Sequence, residues 1–185
     1  MLPAGSSRLF VALWPGPRSR GALVDARERW PWPPPAAPVP QERLHLTLHF
    51  LGAVPRERLD ALGDALALPF RAFDLVFGRP ELWPHGIAVL CPHGTPEPLR
   101  QLHRDLAAAL WRLGLPPEAR PWRPHVTLAR HATGALPPPP APPWRWPVRG
   151  YALVESESRP RLTYRVLRRY PSASVLGGTR RAAED

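Results

Sequence analysis

The stretch RPHVTLAR at residues 123–130 and the stretch RLHLTLHF at residues 43–50 share the pattern His, any residue, Thr, Leu, once in each half of a 185-residue chain. In the first copy the pattern alternates: Leu44, Leu46, Leu48 and Phe50 point to one side of a strand, and His45, Thr47, His49 and Leu51 to the other. The second copy, read as a strand HVTLAR, sets His125 beside Thr127 in the same way. The two histidines stand 80 positions apart (125 minus 45), each preceded by a strand and a helix. That repetition predicts two similar lobes about a pseudo-twofold axis, with two His and two Thr around one central point.

Outward from the motifs, RLFVALWP at 8–15 reads as a core strand and is followed by a helix from Arg18 to about Trp30. The run PWPPPAAPVP then allows only a loop. A helix is expected in PRERLDALGDALAL, and two strands in FDLVFGRPELWP and GIAVLCP. The longest helix, in TPEPLRQLHRDLAAALWRLGL, carries the stripe Leu99, Leu102, Leu106, Leu110 and Leu113, with Thr95 as its expected cap and Gly114 as its stop. LPPPPAPPWRWP reads as a loop, semi-rigid through its prolines and placed to form a rim of the cleft. Two strands, VRGYALVESES and RLTYRVLRRYP, close the chain. The order of elements excludes a doubly wound sheet and predicts an α+β body with helices on the outer faces of antiparallel or mixed sheets. Residues 1–171 are expected as a single domain and 172–185 as a flexible tail.

Of the 25 basic residues all are arginine, against 15 acidic ones, a net charge of +10. Arginine binds phosphate in a bidentate manner, so a polyanionic partner is favoured. Cys91 is the only cysteine, which excludes an intrachain disulfide and a thiolate zinc site. No stretch approaches membrane-spanning length and the start lacks a leader pattern, so the expectation is a soluble, cytoplasmic monomer with no membrane partner.

A pair of histidines on a twofold axis suits in-line displacement at phosphorus, which needs a base on the attacking oxygen and an acid on the leaving one. Thr47 and Thr127 are placed to donate hydrogen bonds to non-bridging phosphate oxygens. Nothing in that scheme calls for a metal or a cofactor, and the pattern alone leaves open which histidine takes which role.

RLHLTLHFLG and RPHVTLAR resemble the paired His-x-Thr-x motifs of the 2H phosphoesterases, in particular the bacterial RNA 2′,3′-cyclic phosphodiesterases, also called LigT-like 2′-5′ RNA ligases. RLFVALWP and LVESESRPRLTYRVLRRYP extend the similarity over most of residues 8 to 171. The resemblance implies a bilobal α+β fold with the motif strands lining a central cleft, opening of a terminal 2′,3′-cyclic phosphate to a 2′-phosphomonoester, and the reverse joining through a 2′-5′ linkage. It implies His45 as the proton donor to the departing 3′ oxygen and His125 as the base on water. It also brings in Arg130, an arginine after the second motif. Strict alternation puts Arg130 on the face opposite His125, so it reaches the phosphate only if the strand ends or bulges there. The first motif has His49 and Phe50 in that region instead.

Two further readings share these residues: a phosphodiesterase for small cyclic nucleotides or 2′-5′ oligonucleotides, and a non-catalytic RNA-binding module. His49 shares the expected face of His45, His103 is expected on the surface of the long helix, and His85, His93 and His131 fall in loops or strand ends. The tryptophans at 30, 32, 122, 144 and 146 flank proline-rich loops, placed either to stack on bases or, more often for such residues, to pack the loops down.

Overall fold

The apolar run stopped by Pro15 forms β1 (Ser6–Leu13), and Pro17 opens α1 (Pro17–Glu28), where a missing backbone N–H costs nothing. The structure, a computed structural model, describes residue 3, residues 5–157 and residues 162–173. The expected tail lies, beyond Ala173, outside the described residues. The remaining elements are β2 (Ala37–Pro38), β3 (Leu46–Pro55), α2 (Leu59–Ala65), β4 (Phe73–Trp83), β5 (Ile87–Pro92), α3 (Glu97–Arg112), β6 (Val126–Arg130), β7 (Trp144–Val148), β8 (Gly150–Glu157) and β9 (Thr163–Pro171).

The strands hydrogen-bond in the order β7-β4-β5-β6-β3-β1-β8-β9, with β2 added to β6, and every described pairing is antiparallel. The order is symmetric about its middle. A half made of β3, β1, β8 and β9 meets a half made of β6, β5, β4 and β7, and the described register between the two motif strands is a single pair, Leu46 opposite Val126. The two expected sheets are therefore halves of one continuous sheet, joined at the motifs.

One face of that sheet carries the main core. Leu99, Leu102, Leu106 and Leu110 of α3, Leu23 of α1 and Leu62 of α2 are all buried against Leu9, Leu46, Leu75, Val126 and their neighbours. Each such leucine contributes about 2 kcal/mol by leaving water, before entropy is counted. Thr95 does not cap α3: Pro96 holds the cap position, and the Thr95 carbonyl accepts a hydrogen bond from the Arg100 guanidinium. Gly114, at φ 68°, ends the helix as expected, letting Leu115 N–H reach back to the Leu110 carbonyl at 3.0 Å.

The segment read as the loop LPPPPAPPWRWP ends as strand β7. Pro147 is tolerated there because β7 is an edge strand, paired only with β4. Trp144 and Trp146 stack on Phe77 at 5.3 and 5.8 Å, and Trp30 stacks on Trp32 at 5.1 Å. All four pack on the main core, Trp30 and Trp146 buried in it and Trp32 and Trp144 partly buried against it. A smaller cluster, Phe10, Ala12, Ala152 and Val154, covers part of the opposite face.

Candidate active site

Each motif histidine sits one residue before its strand, not within it. His45 follows a 3₁₀ turn at Gln41–Arg43, and His125 follows Arg123 and Pro124. Both rings are anchored alike: Nδ1–H of His45 donates to the Arg43 carbonyl at 2.6 Å, and Nδ1–H of His125 to the Arg123 carbonyl at 2.7 Å. A carbonyl only accepts, so the neutral form of each ring carries its proton on Nδ1 and leaves Nε2 free to take one. The Thr47 hydroxyl donates to Nε2 of His45 at 3.0 Å.

Strict alternation fails in both motif strands at the same place. On β3, Thr47 faces Ala12 while His49 faces Val11, so Leu48 is an extra residue; on β6, Thr127 faces Val89 while Ala129 faces Ala88, so Leu128 is extra. Each bulge buries two successive residues, Leu48 with His49 and Leu128 with Ala129. The next residue returns to the face of the histidine. Arg130 thereby comes round to the side of His125, the condition set for it by the sequence. Its counterpart five residues after His45 is Phe50, 51% exposed, with its ring 6.2 Å from Phe10.

The bulge also corrects the expected place of His49. The ring is buried on the helix-covered side, donates from Nε2 to the His103 carbonyl at 2.9 Å, and stacks on the His103 ring at 4.1 Å. His103, expected on the surface, is half-buried and stacks in turn on Trp122 at 4.1 Å. Trp122 Nε1–H donates to the Thr47 carbonyl at 3.1 Å. A residue leading into the second motif is thus bonded to the first, a second tie across a seam that has one strand pair.

The walls of the two halves differ. His45 lies among Phe10 (4.9 Å), Trp14 (5.7 Å, stacked) and Tyr164 (5.3 Å, edge-on). His125 lies against Trp83 at 4.4 Å, and the Arg123 guanidinium sits over the Trp83 ring, also at 4.4 Å. Trp83 is set by a tight turn in which His85 and Gly86 both have left-handed backbones, φ 63° and 66°; a Cβ at Gly86 would lie 2.6 Å from the Thr133 amide. Phe10, Trp14, Tyr164 and Trp83 are aromatic residues of the site that the sequence reading did not single out. Trp14 was detectable, since Phe10, Ala12 and Trp14 alternate onto one side of β1 and its exit, whereas nothing local marks Trp83.

Burial, above all, pushes the His45 imidazole down to about 4; the Arg43 carbonyl works against this, and His125, Arg130 and Arg20 add to it. His125 is lowered too, by burial first, opposed by the Arg123 carbonyl and reinforced by Arg123, Arg120 and Arg130. Low values suit a base. An acid role for His45 needs a compensating negative charge nearby, such as an anionic phosphate between the rings would supply. Among the described residues no group of three or more His, Cys, Asp or Glu is placed to hold a metal ion, and no helix is long and apolar enough to cross a membrane.

A family model described as the 2′-5′ RNA ligase superfamily matches residues 32–159. The RNA 2′,3′-cyclic phosphodiesterase of Thermus thermophilus is 35% identical to this chain, with 88% of the chain and 89% of the relative aligned. The RNA 2′,3′-cyclic phosphodiesterase of Escherichia coli K12 is 34% identical, over 88% of the chain and 95% of the relative. Among solved structures, E. coli LigT complexed with 3′-AMP superposes with a TM-score of 0.81 at 31% identity, covering 90% of this chain and 98% of that one. A solved structure from Thermus thermophilus superposes with a TM-score of 0.75 at 33% identity, over 89% of this chain and 97% of that one.

Proposed function

This chain belongs to the 2′-5′ RNA ligase superfamily, and from that premise we infer that it is an RNA 2′,3′-cyclic phosphodiesterase in which His45 and His125 do the acid and base work. The observation that carries the site assignment is the matched anchoring of the two rings, each Nδ1–H held by the carbonyl two residues earlier so that each Nε2 is left for the substrate.

In this reading the cyclic phosphate lies between the rings. Nε2 of His125 takes a proton from water as its oxygen bonds to phosphorus, the bond from phosphorus to the 3′ oxygen breaks, and that oxygen takes a proton from Nε2 of His45. The phosphate stays on the 2′ oxygen. Thr47 gives up its resting bond to His45 and, with Thr127, donates to the non-bridging oxygens, where negative charge is greatest. Arg130, turned inward by the bulge at Leu128, adds a fixed positive charge on the base side. The strained cyclic diester is already activated, so the chain's own residues suffice for the step. The substrate in the cell is an RNA end, met in the cytoplasm.

The test is incubation with a 2′,3′-cyclic nucleotide in excess chelator, identifying the phosphomonoester formed. A 2′-phosphate that disappears in His125→Ala supports the reading. A 3′-phosphate, or equal turnover by the variant, overturns it.

A further inference from the structure

In-line displacement gives the two halves of the cleft different partners. On the reading above, His45 faces the departing 3′ oxygen and hence the ribose of the cyclic end, while His125 faces whatever attacks. Phe10, Trp14 and Tyr164 around His45 form an apolar wall suited to a nucleoside. Water, the attacking group in hydrolysis, needs no wall at all, yet the side of His125 is the more elaborately built.

There a single carboxylate organises two guanidiniums. Glu81 Oε1 accepts from Arg79 at 2.8 Å, and Oε2 accepts from Arg123 at 3.1 Å and from Trp83 Nε1–H at 2.8 Å. The carboxylate is the covered member: Glu81 side-chain exposure is 25%, against 51% for Arg79 and 62% for Arg123. Two positive charges over one negative leave a net cation at the surface, and each guanidinium has more N–H donors than its bond to Glu81 uses. Arg123 lies over Trp83 and Trp83 against His125, so the array runs without a break from the base outward.

We propose that Trp83, Arg123 and Arg79 form the docking site for the second RNA strand, the one that presents a 5′-hydroxyl to His125 in the 2′-5′ joining that membership of the ligase superfamily implies. This rests on the assignment of His45 as acid and His125 as base. The step balances without a cofactor: the 5′ oxygen gives its proton to His125 and bonds to phosphorus, the 3′ oxygen departs with a proton from His45, and the phosphate ends as a diester between the 2′ and 5′ oxygens. Water competes for the same position, and a docked strand competes successfully by raising the effective concentration of its hydroxyl.

The experiment mixes an oligoribonucleotide ending in a 2′,3′-cyclic phosphate with a second one starting in a 5′-hydroxyl, and measures within each reaction the ratio of 2′-5′ joined product to 2′-phosphate. In Arg79→Gln and Arg123→Gln this ratio falls about tenfold, the loss of one charge-assisted phosphate contact. Arg79→Lys falls less, and Arg56→Gln, whose arginine pairs with Glu155 of β8, leaves the ratio as in the wild type. An unchanged ratio in both glutamine variants overturns the docking site, as does a wild type that hydrolyses the cyclic end but yields no joined product at high acceptor concentration. A wild type that forms neither product overturns the underlying function and the docking site with it.

Discussion

The half of the sheet built on β3 and the half built on β6 share a backbone plan and differ in what lines it. Both start from a histidine held through Nδ1 by a carbonyl, both carry a threonine two residues on, and both bulge at the next leucine. After the bulge one half presents Phe50 and the other Arg130, and around the histidines one half gathers Phe10, Trp14 and Tyr164 while the other gathers Trp83 and arginines. The lesson is a division of labour. On the proposed reading the duplicated part supplies proton transfer, which an in-line reaction needs on both sides, and the unlike part supplies binding, which differs between a leaving nucleoside and an incoming nucleophile.

The largest expected effect breaks the duplicated part. His45→Ala and His125→Ala should each lower kcat on a 2′,3′-cyclic nucleotide by about 10²–10⁴-fold, read by product formation under saturating substrate. Thr47→Val and Thr127→Val come next, each costing about 10- to 100-fold in kcat, the worth of a hydrogen bond to a charged oxygen. If valine at both sites leaves kcat at the wild-type level, the threonines are structural.

Smaller effects probe the unlike part. Arg130→Gln should lower kcat/KM about tenfold and flatten its dependence on salt, whereas Phe50→Ala, at the matching position, should raise KM and leave the salt dependence as it was. Equal salt dependence in the two variants contradicts the asymmetry.

The last comparison is between the two bulges. His49 is buried at the first, with His103 stacked on it, and Ala129, which cannot titrate, is buried at the second. Burial lowers His49, and burial together with the His49 charge lowers His103 to about 4, from the usual 6.5. The unfolded chain therefore binds protons at these sites at a higher pH than the folded chain does. Stability that is present above pH 6.5 drains as pH falls from 6.5 towards 4. The melting temperature should drop across that window, and His49→Leu should make the drop shallower. An equally steep drop in the variant excludes this pair as its source.

Much of this was legible in the sequence. The leucine stripe of α3, the two His-x-Thr pairs and their lobes follow from periodicity and repetition, which are properties of nearest neighbours. What did not follow depends on one-residue insertions and on pairing between distant segments. A bulge adds one residue to a strand without a residue type of its own, so nothing in HLTLHF announces that His49 turns into the core and Phe50 out of it. Residues 144–147 read as a loop because of the prolines around them, and become part of a strand because an edge needs only one partner, β4. Trp83 and Trp122 reach the site from 42 and 3 positions before His125, and only the fold shows that the first lies against that ring and the second bonds to the other motif.

The measurement that bears most directly on the division of labour uses a nucleoside phosphodiester with a nitrophenolate leaving group, which departs without needing a proton. The account predicts that His45→Ala loses at most about tenfold on this substrate while His125→Ala still loses at least about a hundredfold, because only the acid has become dispensable. Equal losses in the two variants, or rescue of His125→Ala instead, contradict the assignment of the leaving group to the aromatic half and of the nucleophile to the arginine half.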